Sequence, residues 1–203
     1  MTNGTVTVKN RLRGLLDPIV RLLLKLGVPP MAVTVAGCAL SLIGAFSVAR
    51  GGLRAGGVIL VISGLCDSLD GALARRSGTV SVFGAFIDST LDRVAEIAYF
   101  GALIVYYGGG VERGRVAIPF VIISLAGSFL TSYTRARAEG LGLECRVGLL
   151  ERPERVALLA VGLLFGETVL LAVLACLAVL TTVTSVQRVV HVRRVTARKP
   201  DAG

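Results

Sequence analysis

Four aspartates fall inside one hydrophobic stretch of the chain: Asp67 and Asp70, followed by Asp88 and Asp92. They are four of its six aspartates. A carboxylate carried to membrane depth costs about 2.5–3.5 kcal/mol on insertion scales, so four of them need a shared compensating partner. On a helix, the i, i+3 spacing of Asp67 and Asp70 puts both on one face, and the i, i+4 spacing of Asp88 and Asp92 does the same on the next helix. Two such faces turned toward each other form an all-oxygen cage, the donor set that hard cations such as Mg²⁺ or Mn²⁺ prefer.

The elements that must hold this cage are membrane helices. The chain has 203 residues, 54% of them hydrophobic and only 17% charged, with a mean hydropathy of +0.77. Those values exclude an ordinary soluble globule. The net charge of +9 sits at the ends of apolar segments, as cytoplasmic flanks do, and not in the broad patch of a nucleic-acid binder. Cys38, Cys66, Cys145 and Cys176 are far apart with no CxxC pair, so neither a disulfide framework nor a zinc site is expected. Cys38 and Cys176 lie in apolar runs and read as small core residues. No cleaved signal peptide is legible in the basic N-terminal segment.

In chain order, residues 8–26 read as an amphipathic helix lying in the membrane interface, with a leucine-rich face and a basic one. Gly27-Val-Pro-Pro30 ends it. Spans are expected over about 31–49, 55–75, 82–107, 116–133, 154–166 and 168–187, the fifth of them short. Tyr106 and Tyr107 suit an interfacial aromatic belt, residues 138–150 a polar loop, and the tail beyond 187 a frayed basic end. The fold class is therefore all-α integral membrane, with six transmembrane helices plus the interfacial helix in a single domain. Most Lys and Arg lie on the face that holds both termini and the loops 76–81 and 135–155. That bias puts the termini and the aspartates on the cytoplasmic side of a cell membrane. The acids gather at one face and leave the other half of each span uncharged, which argues against a cation transporter.

The motif D-x2-D-G-x2-A-R-x8-G-x3-D-x3-D, running from Asp67 to Asp92, is met here at every fixed position. It resembles the signature of the CDP-alcohol phosphotransferases, integral membrane enzymes of phospholipid synthesis. The resemblance implies two divalent metals per protomer, Mg²⁺ or Mn²⁺, held by Asp67, Asp70, Asp88 and Asp92. It also implies that Asp92 is the base for the acceptor hydroxyl, and that Gly71, Arg75 and Ser81 contact the CDP moiety. Gly71 and Gly84 have no side chain and permit close approach of the nucleotide. Pro30-Met31-Ala32-Val33-Thr34 is similar to the family's P-x-x-V-T helix entry, where a helix N-terminus and Thr34 reach the nucleotide of CDP-diacylglycerol. A plain helix start with Thr34 as a local cap fits the same residues.

Two further segments, Ser132-Tyr-Thr-Arg135-Ala-Arg137-Ala-Glu and Gly148-Leu-Leu-Glu151-Arg152-Pro-Glu154-Arg155, resemble those of the family's actinobacterial phosphatidylinositol phosphate synthase branch. The reaction this implies joins CDP-diacylglycerol to inositol phosphate and releases CMP. Glycerol 3-phosphate, giving phosphatidylglycerophosphate, is the alternative acceptor. Ser132, Arg135, Arg155 and Arg188 are the candidates for gripping an acceptor phosphate, and each arginine also fits a cytoplasmic flank. Glu96 extends the i, i+4 series from Asp92, as a supporting group or as a polar residue between helices. The resemblance implies a homodimer, and spans rich in Gly, Ala and Val suit helix packing beyond one chain.

Overall fold

The computed structural model describes residues 16–110 and 112–197, and within them every regular element is a helix. Helix α1 covers residues 16–25, and residues 8–15 of the expected interfacial helix lie outside the described residues. It is followed by α2 (Pro30–Ala49), α3 (Leu53–Ser77), α4 (Val82–Gly108), α5 (Gly114–Gly140), α6 (Arg152–Phe165) and α7 (Glu167–Ala197).

Four of these, α2, α3, α5 and α7, are long and apolar enough to cross a membrane. Their outward faces carry exposed Leu42, Ile43, Phe46, Val58, Ile62, Ile122 and Val179, a lipid-facing pattern and not a soluble one. α4 has the length of a span, 27 residues, but it carries Asp88, Asp92, Arg93 and Glu96 between its second turn and its middle. α6 has only 14 residues, about 21 Å of helix against a hydrocarbon layer about 30 Å thick.

Several sequence expectations need correction. α5 continues through Gly140, so Arg135 and Arg137 stand on the helix itself and not in the 135–155 loop. α7 runs to Ala197, so Arg193 and Arg194 are helical and not part of a frayed tail; Arg198 and Lys199 lie outside the described residues. Tyr107 is buried, packed edge-on to Tyr106 inside the bundle, so it belongs to no interfacial belt. Cys176 is exposed on α7 and is not a core residue.

The helix ends follow local chemistry. Gly78 closes α3 in the left-handed region (φ 69°), and Thr79 N–H donates to Ala74 O at 3.1 Å, a Schellman-type stop that an L side chain would strain. Ser81 then caps α4, its hydroxyl accepting from the Gly84 N–H at 3.0 Å. Pro30 and Pro153 stand in the first turns of α2 and α6, where the missing N–H costs nothing.

Packing gives two halves. α2 lies against α3 and α4, α5 against α7, and α6 bridges them by contacting both α3 and α7. Buried hydroxyls join the helices: Ser41 and Ser63 share a hydrogen bond of 2.5 Å, Ser124 donates to Leu174 O at 3.0 Å, and Thr131 and Ser185 meet at 2.9 Å. Such bonds and small residues hold helices together where no hydrophobic drive exists between them. Gly127 marks one close approach, since a Cβ there would stand 2.1 Å from Thr181 Oγ1. The chain reverses direction at each turn, so the C-terminal halves of α3, α5 and α7 share one end of the bundle with the N-terminal halves of α2, α4 and α6.

Candidate active site

That shared end brings the four aspartates together. Asp67 and Asp70 come from α3, Asp88 and Asp92 from α4. Oxygens of Asp67, Asp88 and Asp92 lie within 4.8 Å of one another. Asp70 stands beside them, only 6% exposed. All four line a small internal cavity of about 20 Å³, together with Thr34, Cys38 and Leu91. That is room for about one water-sized ion. Asp70 Oδ2 and Asp88 Oδ1 are buried with no hydrogen-bond partner. Four clustered carboxylates with orphaned oxygens and an all-oxygen donor set fit a divalent cation.

The cage is also a wall between two larger cavities. On one side lies a space of about 750 Å³ that touches Asp70 and Asp88. Met31, Thr34, Gly71, Arg75, Ser81 and Gly84 line it, each a residue singled out from the sequence for CDP contact. The Arg75 guanidinium folds back over Gly71, with Nη1 3.3 Å from where a Cβ would be. A larger residue at 71 would push that guanidinium away. Ala32 and Val33 do not line the cavity. Val33 is buried in a separate cluster with Leu16, Val20, Leu69 and Leu73, which seats α1 against α2 and α3, and Ala32 is exposed. Asp17 of α1 pairs with Arg76, fixing α1 beside the rim.

On the other side is a cavity of about 270 Å³ that touches Asp67 and Asp92. Glu96, Arg152 and Arg155 line it, above an apolar floor of Leu60, Tyr99 and Ala160. Arg155 is 3% exposed; its Nε donates to Glu96 Oε1 at 3.1 Å, and its Nη2 has no partner. Glu96 also takes Arg93 at 2.5 Å, and Arg93 in turn donates to Ser132 Oγ at 2.7 Å. Glu96 is thus the hub of a buried charge network.

The other acceptor candidates do not reach this cavity. Arg188 is 3% exposed, and its guanidinium donates to Val147 O at 2.8 Å and to Thr131 O. It pins the 141–151 loop to α7, helped by Leu149 and Leu150 N–H groups donating to Thr184 Oγ1. Arg135 pairs with Glu139 at 2.8 Å and reaches Glu151 at 4.0 Å.

Sequence reasoning gave Arg152 no role. The structure places it in the cage, where Nη1 donates to Asp67 Oδ1 at 3.2 Å and Nη2 pairs with Asp92 Oδ1. The only signal was its place in the Glu151-Arg152-Pro153-Glu154-Arg155 run, which does not say which helix α6 will pack against.

Comparison with known proteins bears on this arrangement. The family model described as CDP-alcohol phosphatidyltransferase matches residues 28–191. A phosphatidylinositol phosphate synthase of Streptomyces avermitilis is 40% identical over 194 residues, covering 90% of this chain and 79% of that protein. An archaetidylinositol phosphate synthase of Methanothermobacter thermautotrophicus is 35% identical over 158 residues, covering 78% and 76%. The crystal structure of Mycobacterium tuberculosis phosphatidylinositol phosphate synthase with CDP-DAG bound has a TM-score of 0.81 at 35% identity, covering 87% of this chain and 92% of that one. The same protein in complex with manganese and citrate also gives a TM-score of 0.81.

Proposed function

This chain belongs to the CDP-alcohol phosphatidyltransferase family, and on that premise we propose that it transfers the phosphatidyl group of CDP-diacylglycerol to inositol phosphate. The products are phosphatidylinositol phosphate and CMP. The observation that carries the reading is the carboxylate wall with a cavity on each side. The larger cavity takes the CDP-diacylglycerol headgroup, with Arg75 on a phosphate and Gly71 and Gly84 admitting the nucleotide. The smaller takes the acceptor. Relatives named for inositol phosphate chemistry support the choice of acceptor.

Asp67, Asp70, Asp88 and Asp92 would hold two Mg²⁺ ions. When bound, such ions would supply charge neutralisation to the pyrophosphate and alignment to the reacting oxygens. The residues do the rest. Asp92, which faces the acceptor cavity, takes the hydroxyl proton. The acceptor oxygen then bonds to the phosphatidyl phosphorus as the bond from that phosphorus to the bridging oxygen breaks. CMP leaves with the electron pair. The apolar floor of the acceptor cavity and the buried Glu96–Arg155 pair keep water out and orient the acceptor.

The site operates on the cytoplasmic side of the plasma membrane, the side the basic residues mark. α4 and the short α6 complete six spans, α6 packing against α3 and α7. α1 rests in the interface, and the whole chain forms one domain. The working unit is a homodimer; native mass spectrometry from mild detergent is expected to give the dimer mass, and a monomer alone would contradict it.

The acceptor grip is testable by kinetics. Arg155→Gln is expected to raise the KM for inositol phosphate roughly ten- to a hundredfold, the loss of one charge-assisted contact, with the KM for CDP-diacylglycerol nearly unchanged. Arg135→Gln and Arg188→Lys, at residues that do not line the acceptor cavity, are expected to shift the acceptor KM less. If all three keep the wild-type acceptor KM, these arginines are flanking charges and no grip.

A further inference from the structure

Arg152 opens α6, which packs against α3. Its guanidinium spans two helices, donating to Asp67 of α3 and pairing with Asp92 of α4. Those two carboxylates belong to the set whose oxygens converge within 4.8 Å. The side chain lines both the central cavity and the acceptor-side cavity, so it stands at the passage between them. Its Nε is buried with no partner. A guanidinium stays charged at any accessible pH, so it cannot leave the carboxylates by losing a proton and has to swing away.

We propose that Arg152 is a built-in competitor of the metal: its guanidinium and a divalent cation contend for the oxygens of Asp67 and Asp92, and the displaced guanidinium turns into the acceptor-side cavity as an added anion-binding group. The inference rests on reading the carboxylate cage as a metal site. A positive charge in contact with two ligands opposes a second cation by direct repulsion and by occupying the lone pairs it needs. The acceptor-side cavity offers the released group a place, beside Arg155 and close to Glu96. By reciprocity, an anion that draws Arg152 into that cavity tightens metal binding, and the metal tightens the anion by the same factor. Arg152 thereby links metal loading to acceptor capture, so that a partly assembled site is disfavoured.

The test is Mn²⁺ binding to purified wild type and Arg152→Gln in nanodiscs without substrates, read from the free Mn²⁺ signal in electron paramagnetic resonance. Arg152→Gln is expected to bind about tenfold more tightly or better, with Arg152→Lys in between because it keeps the charge and loses the fork. Without metal, Arg152→Gln should melt below wild type, since the tie between α3 and α4 is gone, and Mn²⁺ should raise its melting temperature more than it raises that of wild type. Arg152→Met, which keeps the apolar stem, serves if the glutamine variant does not purify as a monodisperse protein. Equal or weaker Mn²⁺ binding by the variants, with wild-type binding intact, overturns the competition alone. If wild type itself binds no Mn²⁺, the metal reading of the cage falls, and the inference with it.

Discussion

Asp92→Asn will lower turnover by roughly 10²- to 10⁴-fold, the usual contribution of a positioned base, while binding of CDP-diacylglycerol is retained. Asp92 faces the acceptor-side cavity and does not line the donor cavity. It is therefore placed to accept a proton from an incoming hydroxyl and not to touch the nucleotide. Asparagine keeps the shape and one neutral oxygen but cannot take the proton. The side chain also meets Arg152, so the variant should be checked for insertion and melting temperature before its kinetics are read. Single-turnover rates with donor already bound isolate the step. Turnover close to wild type would mean that another group takes the proton.

Loss of the cage itself has a larger effect. Asp88→Asn and Asp67→Asn should each abolish metal-dependent turnover, and EDTA should silence the wild type until Mg²⁺ or Mn²⁺ is restored. Asp88 Oδ1 is buried and unpartnered, and Asp67 and Asp88 belong to the converging oxygen set. Removing either charge leaves too few anionic oxygens to repay a cation its hydration. Both variants should still insert, because one carboxylate fewer at membrane depth removes a cost instead of adding one. Full activity of the wild type in metal-free buffer, or of either variant in Mg²⁺, would contradict the cage.

The aspartates were legible because their spacing states a helix face directly, and the glycines and Arg75 because the motif fixes them relative to those faces. Helix–helix contacts were not. Arg152 reads as one more basic flank until α6 is seen against α3. Likewise the turn of α2 points Val33 at α1 and puts Pro30, Met31 and Thr34 of the same stretch on the cavity, a division that the sequence does not state. Arg188 reads from the sequence only as a cation at the right end of a span; that its Nε and Nη1 donate to backbone carbonyls of Val147 and Thr131 is set by how α7 meets the 141–151 loop. On α5 and α7 the hydropathy drop marks the end of the expected span and not the end of the helix. Hydrogen bonding continues through Gly140 and Ala197 well past that boundary.

The most direct test is an acceptor panel: purified protein with Mg²⁺ and CDP-diacylglycerol labelled in the phosphatidyl phosphate, offered inositol phosphate, glycerol 3-phosphate, free inositol and serine in turn. The label is expected in phosphatidylinositol phosphate, with one CMP released for each transfer, and only traces of product with the other three acceptors. Transfer to glycerol 3-phosphate at a rate matching or exceeding that for inositol phosphate would contradict the proposed function.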